Sequence, residues 1–210
     1  MTHLTLIPEK IKGTVTVPPS KSMAHRAVIC ASLAKGRSTI TNIQLSDDMI
    51  ATIAGMRSFG AVISYNDRTL TIEGVGNGSV QEKRIVDCNE SGSTLRFLIP
   101  LATLFKGKTH FIGQGQLGKR PLEPYQELFD AQSLHYQLAA TQNLQLSVEG
   151  PLTPGIYEMR GDISSQFITG MLLTLPLLVG DSILKITTPI ESKGYIDLTL
   201  SVLRSFGIVL

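Results

Sequence analysis

The sequence has 210 residues, of which 42% are hydrophobic and 17% are charged, with a formal net charge of +2. This length and composition are typical of a globular protein with one large or two small domains, and they exclude a disordered chain. So small a net charge, without any run of basic residues, argues against a nucleic-acid-binding protein. An anion site would therefore depend on individually placed residues and not on a generally positive surface.

Two cysteines, Cys30 and Cys88, lie in apolar stretches without Cys or His neighbours at metal-ligand spacing. We predict buried free thiols, which suit a reducing cytoplasm, and no metal site. The N-terminus lacks the basic-then-apolar pattern of a signal peptide. The longest apolar run, residues 167–179, contains Pro176 and is too short to span a bilayer. We therefore interpret this run as a buried helix of a cytoplasmic protein.

A long internal repeat organises the chain. Segments 14–42, 84–113 and 157–187 each predict a strand, a serine-containing turn, an apolar helix, a glycine and a second strand. Serine caps the free N–H groups of a first helical turn, and the serines at the three helix starts are Ser20 and Ser22, Ser91 and Ser93, and Ser164 and Ser165. The glycines that follow the three helices, where a left-handed residue is expected, are Gly36, Gly107 and Gly180.

The second half of each repeat adds another helix and two strands. Helices are predicted at 46–60, 121–131 and 194–207, and strand pairs at 61–66 with 69–74 and at 133–139 with 144–150. The third copy stops at residues 208–210. We therefore predict an α/β protein of three βαβαββ repeats, at about 14–83, 84–156 and 157–210, whose third repeat is truncated because the chain is a fragment. A natural reading frame that ends at Leu210 would contradict this prediction.

The threefold pattern would place three helix N-termini in equivalent positions of the fold. Helix N-termini carry free N–H donors and partial positive charge, and they therefore favour anions. Each serine taken alone is explained by capping. Lys21 and Arg26, beside the first pair of serines, favour an anion-binding role over capping alone.

Five stretches resemble motifs of the enolpyruvyl transferase family and follow the family's order: PPSKSMAHRA (18–27), NESGSTLRF (89–97), LGKRPLEPY (117–125), GDISSQFITGMLL (161–173) and ESKGYIDLT (191–199). They resemble the branch that transfers the enolpyruvyl group of phosphoenolpyruvate to the 5-hydroxyl of shikimate 3-phosphate, with loss of phosphate. The resemblance implies an inside-out α/β lobe within a monomeric protein about twice this length, without metal or organic cofactor. It also implies that residues 1–13 cross over to a C-terminal lobe absent here, so that residues 3–9 lack their normal neighbours.

The resemblance implies an acceptor pocket built from matching residues. Lys21 would contact both phosphoenolpyruvate and shikimate 3-phosphate. Ser22 and Arg26 lie four positions apart, hence on one helix face, and would hold the carboxylate of shikimate 3-phosphate. The other residues implied to contact shikimate 3-phosphate, at its phosphate and its ring, are Ser164, Ser165, Ser192 and Tyr195.

The resemblance also implies a phosphoenolpyruvate site. Gly92 would lie against this substrate, where a Cβ would crowd the ligand. Arg120 would clamp the same substrate, and Gln166 would lie beside both ligands. Lys21, Arg120 and Gln166 are thus the implied catalytic residues. Without the resemblance, Lys21 and Arg120 are interpreted as solvated charges, Gly92 as a turn residue and Gln166 as a polar first-turn residue.

Four further polar residues have structural interpretations. For Arg96, within an apolar segment, we predict an ion pair, because a buried cation needs a partner. His25 is interpreted as a surface histidine beside Arg26. Asp47 and Asp48 lie at a helix start, where carboxylates suit the helix dipole.

Two positions in the second motif bear on ligand binding. Glu90 stands where many family members have asparagine, and we expect it to face away from anionic ligands or to pair with a cation. Gly92 is retained, whereas alanine there accompanies glyphosate resistance within the family. The resemblance therefore implies a glyphosate-sensitive complete enzyme.

Two alternatives remain open. The sister branch of the family uses a UDP-linked amino sugar, but its first motif has asparagine after lysine and its flexible loop typically carries a reactive cysteine. Here Ser22 follows Lys21, and residues 113–121 contain no cysteine. The second alternative is a binding module without turnover. The family's acid–base carboxylates belong to the other lobe, and closure of both lobes excludes water. We therefore predict that residues 1–210 alone bind shikimate 3-phosphate weakly at best and do not catalyse.

Overall fold

The computed structural model describes residues 3–5, 7, 10, 12–76, 83–139 and 142–210. The six helices in this part of the chain are α1 (Lys21–Leu33), α2 (Asp47–Ser58), α3 (Gly92–Ala102), α4 (Glu123–Ala131), α5 (Ser165–Thr174) and α6 (Lys193–Ser205). The nine strands are β1 (Arg37–Ile40), β2 (Val62–Asn66), β3 (Thr69–Glu73), β4 (Lys83–Asp87), β5 (Lys108–Gly113), β6 (His135–Leu138), β7 (Leu144–Glu149), β8 (Ile156–Met159) and β9 (Ile183–Ile186).

The three equivalent helices begin at the predicted serines. Ser20, Ser91 and Ser164 are the N-caps of α1, α3 and α5, and their hydroxyls accept backbone N–H bonds at 3.3, 3.1 and 3.3 Å. Each bond satisfies one donor that the first turn would leave unpaired. The glycines after these helices all have positive φ, as predicted, at 85° for Gly36, 83° for Gly107 and 128° for Gly180.

One sheet plan recurs in the repeats. In the second repeat β4 runs parallel to β5, which pairs antiparallel with β7, and β7 pairs antiparallel with β6. The first sheet has the order β1–β3–β2 and matches the β5–β7–β6 part of that plan. In the third repeat β8 and β9 form a parallel pair that matches β4 and β5. The first and third sheets therefore each match a different part of the four-stranded sheet of the second repeat.

The strand predicted at residues 14–17 is absent, and this prediction was wrong. Its TVTV pattern has a period of two, but Val15 and Val17 are 85% and 78% exposed. A period-two pattern forms a stable strand when one face is buried and an edge is paired. Neither condition is met by these residues, whereas the equivalent strand β4 buries Val86 completely.

Helices lie inside the molecule and the sheets lie outside. All residues of α3 except Ser93 are buried, and α3 packs on α5, which in turn packs on α6. The strands bury only alternate residues, as in β4, where Arg84 and Val86 are buried while Lys83, Ile85 and Asp87 are exposed. This inside-out arrangement is the predicted one, and it directs the starts of α1, α3 and α5 toward one region.

The close packing of α3 on α5 depends on a glycine. A Cβ at Gly170 would lie 2.5 Å from the carbonyl oxygen of Arg96 and would also meet the hydroxyl of Tyr125. That hydroxyl is fully buried, and its single hydrogen is shared between the Arg96 carbonyl at 2.6 Å and the Phe167 carbonyl at 3.2 Å. Tyr125 therefore joins α3 to α5 directly beneath the region where their first turns meet.

The apolar run at 167–179 is helical only in part. The helix α5 ends at Thr174 and a short 3-10 turn, Leu175–Leu177, follows. Pro176 explains this end, because proline lacks the N–H that would continue the helix. Val179, at the end of the run, is 97% exposed. No helix in the described ranges is both long and apolar enough to cross a membrane.

Both cysteines are free and buried, as predicted. Burial raises the pKa of Cys30 to about 12, and it raises the pKa of Cys88 further. Of residues 3–9, residues 6, 8 and 9 lie outside the described residues. Leu4 and Ile7 are more than 80% exposed and belong to no strand. The crossover of residues 1–13 to another lobe stays a prediction.

Candidate anion-binding site

A cavity of about 330 Å³ opens where four helices begin. Its lining comes from the first two turns of α1 and α3 and from the starts of α5 and α6, as the repeat pattern predicted for α1, α3 and α5. The lining residues are Ser22, Arg26, Ser93, Phe97, Ser164, Ser165, Gln166, Ser192 and Tyr195. Seven of the eight residues that the resemblance assigned to the acceptor are thus together, and Lys21 immediately precedes Ser22.

Arg26 forms the wall of the cavity between α1, α5 and α6. Its Nε donates to Thr199 Oγ1 at 2.7 Å, and its Nη2 donates to Thr169 Oγ1 at 3.1 Å. The two backbone acceptors are the carbonyls of Ser22, at 2.7 Å from Nη1, and Tyr195, at 3.2 Å from Nη2. These bonds fix the guanidinium in one orientation, although a second Nη1 hydrogen is left for a ligand.

The charge of Arg26 lacks a carboxylate partner among the described residues. The side chain is 2% exposed, and its four acceptors are two hydroxyls and two carbonyls. Burial lowers its pKa to about 10, so the group is still a cation at neutral pH. A buried cation without a counter-charge is costly, and an anion in the cavity would offset that cost. The electrostatics therefore favour an anionic ligand.

Gln166 is oriented by two neighbours on α3. Its Oε1 accepts from Arg96 Nη1 at 2.8 Å, and its Nε2 donates to Ser93 Oγ at 2.9 Å. The predicted ion pair of Arg96 is wrong: its hydrogen-bond partners are this amide and the carbonyl of Pro121 at 3.2 Å. Its guanidinium also lies 4.7 Å from the ring centroid of Phe167. Burial, with a smaller effect of Arg120, lowers the pKa of Arg96.

Gly92 and Arg120 are in contact. Gly92 is the first residue of α3, and a Cβ built on it would collide with Nη1 of Arg120. Arg120 is exposed and follows the short 3-10 turn Leu117–Lys119. The resemblance assigned this glycine and this arginine to phosphoenolpyruvate. The structure therefore brings the two residues together at the N-terminus of α3.

Lys21 lies at the start of α1 and pairs with α2. Its Nζ is 2.5 Å from Oδ2 of Asp48, and the two side chains are 54% and 31% exposed. Asp47 and Asp48 occupy the first turn of α2, as predicted, but Asp48 also neutralises the lysine. Exposed ion pairs of this kind contribute little stability, so Lys21 can exchange this partner for a ligand at small cost.

His25 is buried, and its interpretation as a surface residue was wrong. It is 1% exposed, and its Nδ1 lies 2.7 Å from Thr52 Oγ1. Sequence alone missed this because the burial of α1 depends on α2, which packs against it. Burial lowers the pKa of His25 to about 4.

Two lining residues were not assigned to the site from sequence. Ser93 was noted only as a helix-start serine, although it lies two residues after the cap Ser91, as Ser22 lies two residues after the cap Ser20. Phe97 follows Ser93 by four positions and therefore shares its helix face. The guanidinium of Arg26 lies 5.0 Å from the ring centroid of Phe97, a cation–π contact that helps to hold it.

Ser192 lines the cavity, whereas Glu90 does not. Ser192 precedes α6 with φ 55°, in the left-handed region, and its hydroxyl forms no cap bond. The hydroxyl is therefore free for a ligand. Glu90 is exposed, lies against Gly115 and is absent from the cavity lining. In the described part of the chain, no three His, Cys, Asp or Glu side chains gather as metal ligands would.

The family model described as EPSP synthase (3-phosphoshikimate 1-carboxyvinyltransferase) matches residues 6–210. The chain belongs to the EPSP synthase family. Curated relatives include the 3-phosphoshikimate 1-carboxyvinyltransferases of Clostridium beijerinckii, 54% identical over 99% of this chain, and of Clostridioides difficile, 51% identical over 99%. This chain covers 49% of each of these proteins, so it spans about half the length of the curated relatives that it matches.

The fold is that of the same family. A solved EPSP synthase from Acinetobacter baumannii matches 93% of this chain with a TM-score of 0.77 and 25% sequence identity, and 44% of that chain is covered. The inside-out α/β lobe that the resemblance implied is therefore an EPSP synthase fold.

Proposed function

We propose that the complete protein transfers the enolpyruvyl group of phosphoenolpyruvate to the 5-hydroxyl of shikimate 3-phosphate, and that this chain supplies the acceptor pocket. The observation that carries the proposal is the cavity that Arg26 shares with serines from four helix starts. Shikimate 3-phosphate has a carboxylate that can accept the remaining Nη1 hydrogen of Arg26 and a phosphate that matches hydroxyls and helix N-termini.

The proposed acceptor contacts follow from the lining. Arg26 and Ser22 bind the carboxylate, with the free Nη1 hydrogen of Arg26 directed to it. Ser164, Ser165 and Ser192 bind the phosphate near the start of α5. Tyr195 packs against the ring, and its own backbone carbonyl is already held by Arg26.

Phosphoenolpyruvate is proposed to lie between Lys21, the Gly92–Arg120 contact and Gln166. The transfer adds the acceptor oxygen to C2 of phosphoenolpyruvate and a proton to C3, and phosphate then leaves as the C3 proton is lost. Lys21 and Arg120 stabilise the departing phosphate as fixed cations. Lys21 gives up Asp48 when the ligand arrives. Gln166 faces both ligands in an orientation set by Arg96 and Ser93.

The sister reaction with a UDP-linked amino sugar is the weaker candidate. A compact cavity of about 330 Å³ suits a shikimate-sized acceptor, and arginine and serines from four helix starts match its two anionic groups.

The experiment is a phosphate-release assay on the complete protein. Release is expected only with both phosphoenolpyruvate and shikimate 3-phosphate, and the chain of 210 residues is expected to be inactive because half the relatives' length is absent from it. Turnover of a UDP-amino sugar in place of shikimate 3-phosphate would contradict the proposed acceptor. Product formation by residues 1–210 alone would contradict the need for a second lobe.

A further inference from the structure

A chain of buried polar groups runs beneath the cavity from α1 to α3. His25 Nδ1 lies 2.7 Å from Thr52 Oγ1, which lies 2.7 Å from Thr94 Oγ1. Thr94 Oγ1 in turn lies 2.7 Å from Ser91 Oγ and 3.3 Å from the carbonyl of Asp48. Each of these four side chains is at most 2% exposed. Burying four polar side chains is costly unless they hydrogen-bond to one another, and here they do.

Of the two directions open to this chain, one avoids a buried N–H group without an acceptor. In that direction Nδ1–H of His25 donates to Thr52, Thr52 donates to Thr94, and Thr94 donates to Ser91 or to the Asp48 carbonyl. The reverse direction would place the ring hydrogen on Nε2, where it would have no hydrogen-bond partner. Nε2 of His25 is left as a buried nitrogen without a hydrogen-bond partner. The ring packs edge-on against Phe97 with 6.4 Å between centroids. A neutral Nδ1–H tautomer agrees with the lowered pKa of His25.

The two ends of the chain adjoin groups of the site on different helices. His25 precedes Arg26 on α1 and lies three residues after Ser22. Ser91 caps α3 immediately before Gly92 and Ser93. The chain is thus a polar link from the acceptor side of the cavity to the phosphoenolpyruvate side. Its branch at the Asp48 carbonyl also holds the first turn of α2, which carries the partner of Lys21.

We propose that His25 is a positioning residue: through Thr52 and Thr94 it fixes the first turn of α3 relative to α1. The distance from Ser22 and Arg26 to Gly92 and Ser93 is thereby held at the value that two adjacent ligands require. The positioning itself is a property of the chain of 210 residues. Only its consequence for ligand binding rests on the proposed function.

The first measurement is the ¹⁵N spectrum of the His25 ring in residues 1–210 at neutral pH. The proposal predicts a protonated Nδ1 and a bare Nε2. An Nε2–H tautomer would overturn the proposal. This measurement uses the unsubstituted chain, so it does not require any variant to fold.

The second measurement uses matched threonine variants. Thr52→Val removes the central hydroxyl with little change in volume, and Thr52→Ser restores it. Thr174→Val is the control, since Thr174 is also fully buried but donates within its own helix to the Gly170 carbonyl at 2.8 Å. Thr94 and Leu95 donate their N–H groups to the hydroxyl and the carbonyl of Ser91, both at 3.1 Å. We expect amide exchange of Thr94 and Leu95 to accelerate at least about tenfold in Thr52→Val only. Unchanged exchange in Thr52→Val, or equal acceleration in Thr174→Val, would overturn the proposal.

The third measurement separates this proposal from the proposed function. In a titration with shikimate 3-phosphate, Thr52→Val is expected to weaken binding at least about fivefold, whereas Thr52→Ser and Thr174→Val retain it. If the unchanged chain does not bind shikimate 3-phosphate, the proposed ligand is wrong, while amide exchange still decides the positioning role. If Thr52→Val binds shikimate 3-phosphate as tightly as the unchanged chain, positioning by His25 does not affect the affinity for this ligand.

Discussion

His25 combines full burial with a side chain that ordinarily titrates near neutrality. Burial lowers its pKa from 6.5 to about 4, against an opposing effect of Asp48 and with smaller lowering effects of Lys21 and Arg26. The unfolded chain therefore binds a proton at a higher pH than the folded protein does. The stability of the folded state must then fall as the pH falls from about 6.5 toward 4.

We predict that this one residue costs about 2 kcal/mol of unfolding free energy between about pH 7 and pH 5. Urea unfolding at the two pH values measures the loss. In His25→Asn, whose amide can donate from nearly the position of Nδ1 but does not titrate, the difference should shrink by this amount. The same pH dependence in both proteins would show that His25 titrates normally.

At Gly92, one added methyl group should change substrate binding while leaving the free energy of unfolding nearly unchanged. In Gly92→Ala the new Cβ collides with the end of the exposed, flexible Arg120 side chain, which can move aside. We expect stability within about 1 kcal/mol of the original, because alanine also favours the helix. In the complete protein the KM for phosphoenolpyruvate should rise as Arg120 is displaced, and glyphosate should inhibit less. An unchanged KM would contradict the placement of phosphoenolpyruvate beside Gly92 and Arg120.

At the scale of the elements, the α3–α5 contact sets the geometry of the site. Gln166 on α5 is bonded to Arg96 and Ser93 on α3, and Tyr125 ties the two helices below. Any increase in the α3–α5 distance would therefore disturb Gln166 directly.

We predict that Gly170→Ala destabilises the protein by about 1–3 kcal/mol, because the added Cβ would meet the Arg96 carbonyl and the Tyr125 hydroxyl, both held in the core. Gly194→Ala in α6 is the matched control, since nothing lies within 4 Å of its Cβ. It should be neutral or more stable by up to about 1 kcal/mol. Thermal unfolding of both variants checks the pair, and equal effects would contradict the close packing of α3 on α5.

The elements that sequence predicted well are those with local signals. Ser20, Ser91 and Ser164 cap helices through bonds within their own first turns, so a repeated serine before an apolar run is sufficient to predict them. The left-handed glycines are equally local. The strand at 14–17 failed because a strand needs a paired edge and a covered face, and no local pattern supplies either.

At the scale of the whole molecule, the repeat and the family resemblance together predicted the cavity, because equivalent helix starts converge in an inside-out lobe. The environments of His25 and Arg96 were mispredicted because their partners, Thr52 and Gln166, come from other helices far along the chain. Ser93 was within reach of prediction by its place in the repeat, whereas its bond to Gln166 required the packing of α3 on α5.

Arg26 and the surrounding serines form the proposed binding site for shikimate 3-phosphate. Calorimetric titration of residues 1–210 with shikimate 3-phosphate tests it directly, with Arg26→Lys as the variant and Arg57→Lys as the control. Arg57 donates to the carbonyl of Ile63 and does not line the cavity. We predict weak but measurable binding that Arg57→Lys retains and that Arg26→Lys weakens about tenfold or more. An ammonium has three hydrogens, so it cannot keep the four bonds that orient Arg26 and also donate to the ligand. Equal binding by both variants, or no binding at millimolar ligand, would show that shikimate 3-phosphate does not bind at Arg26.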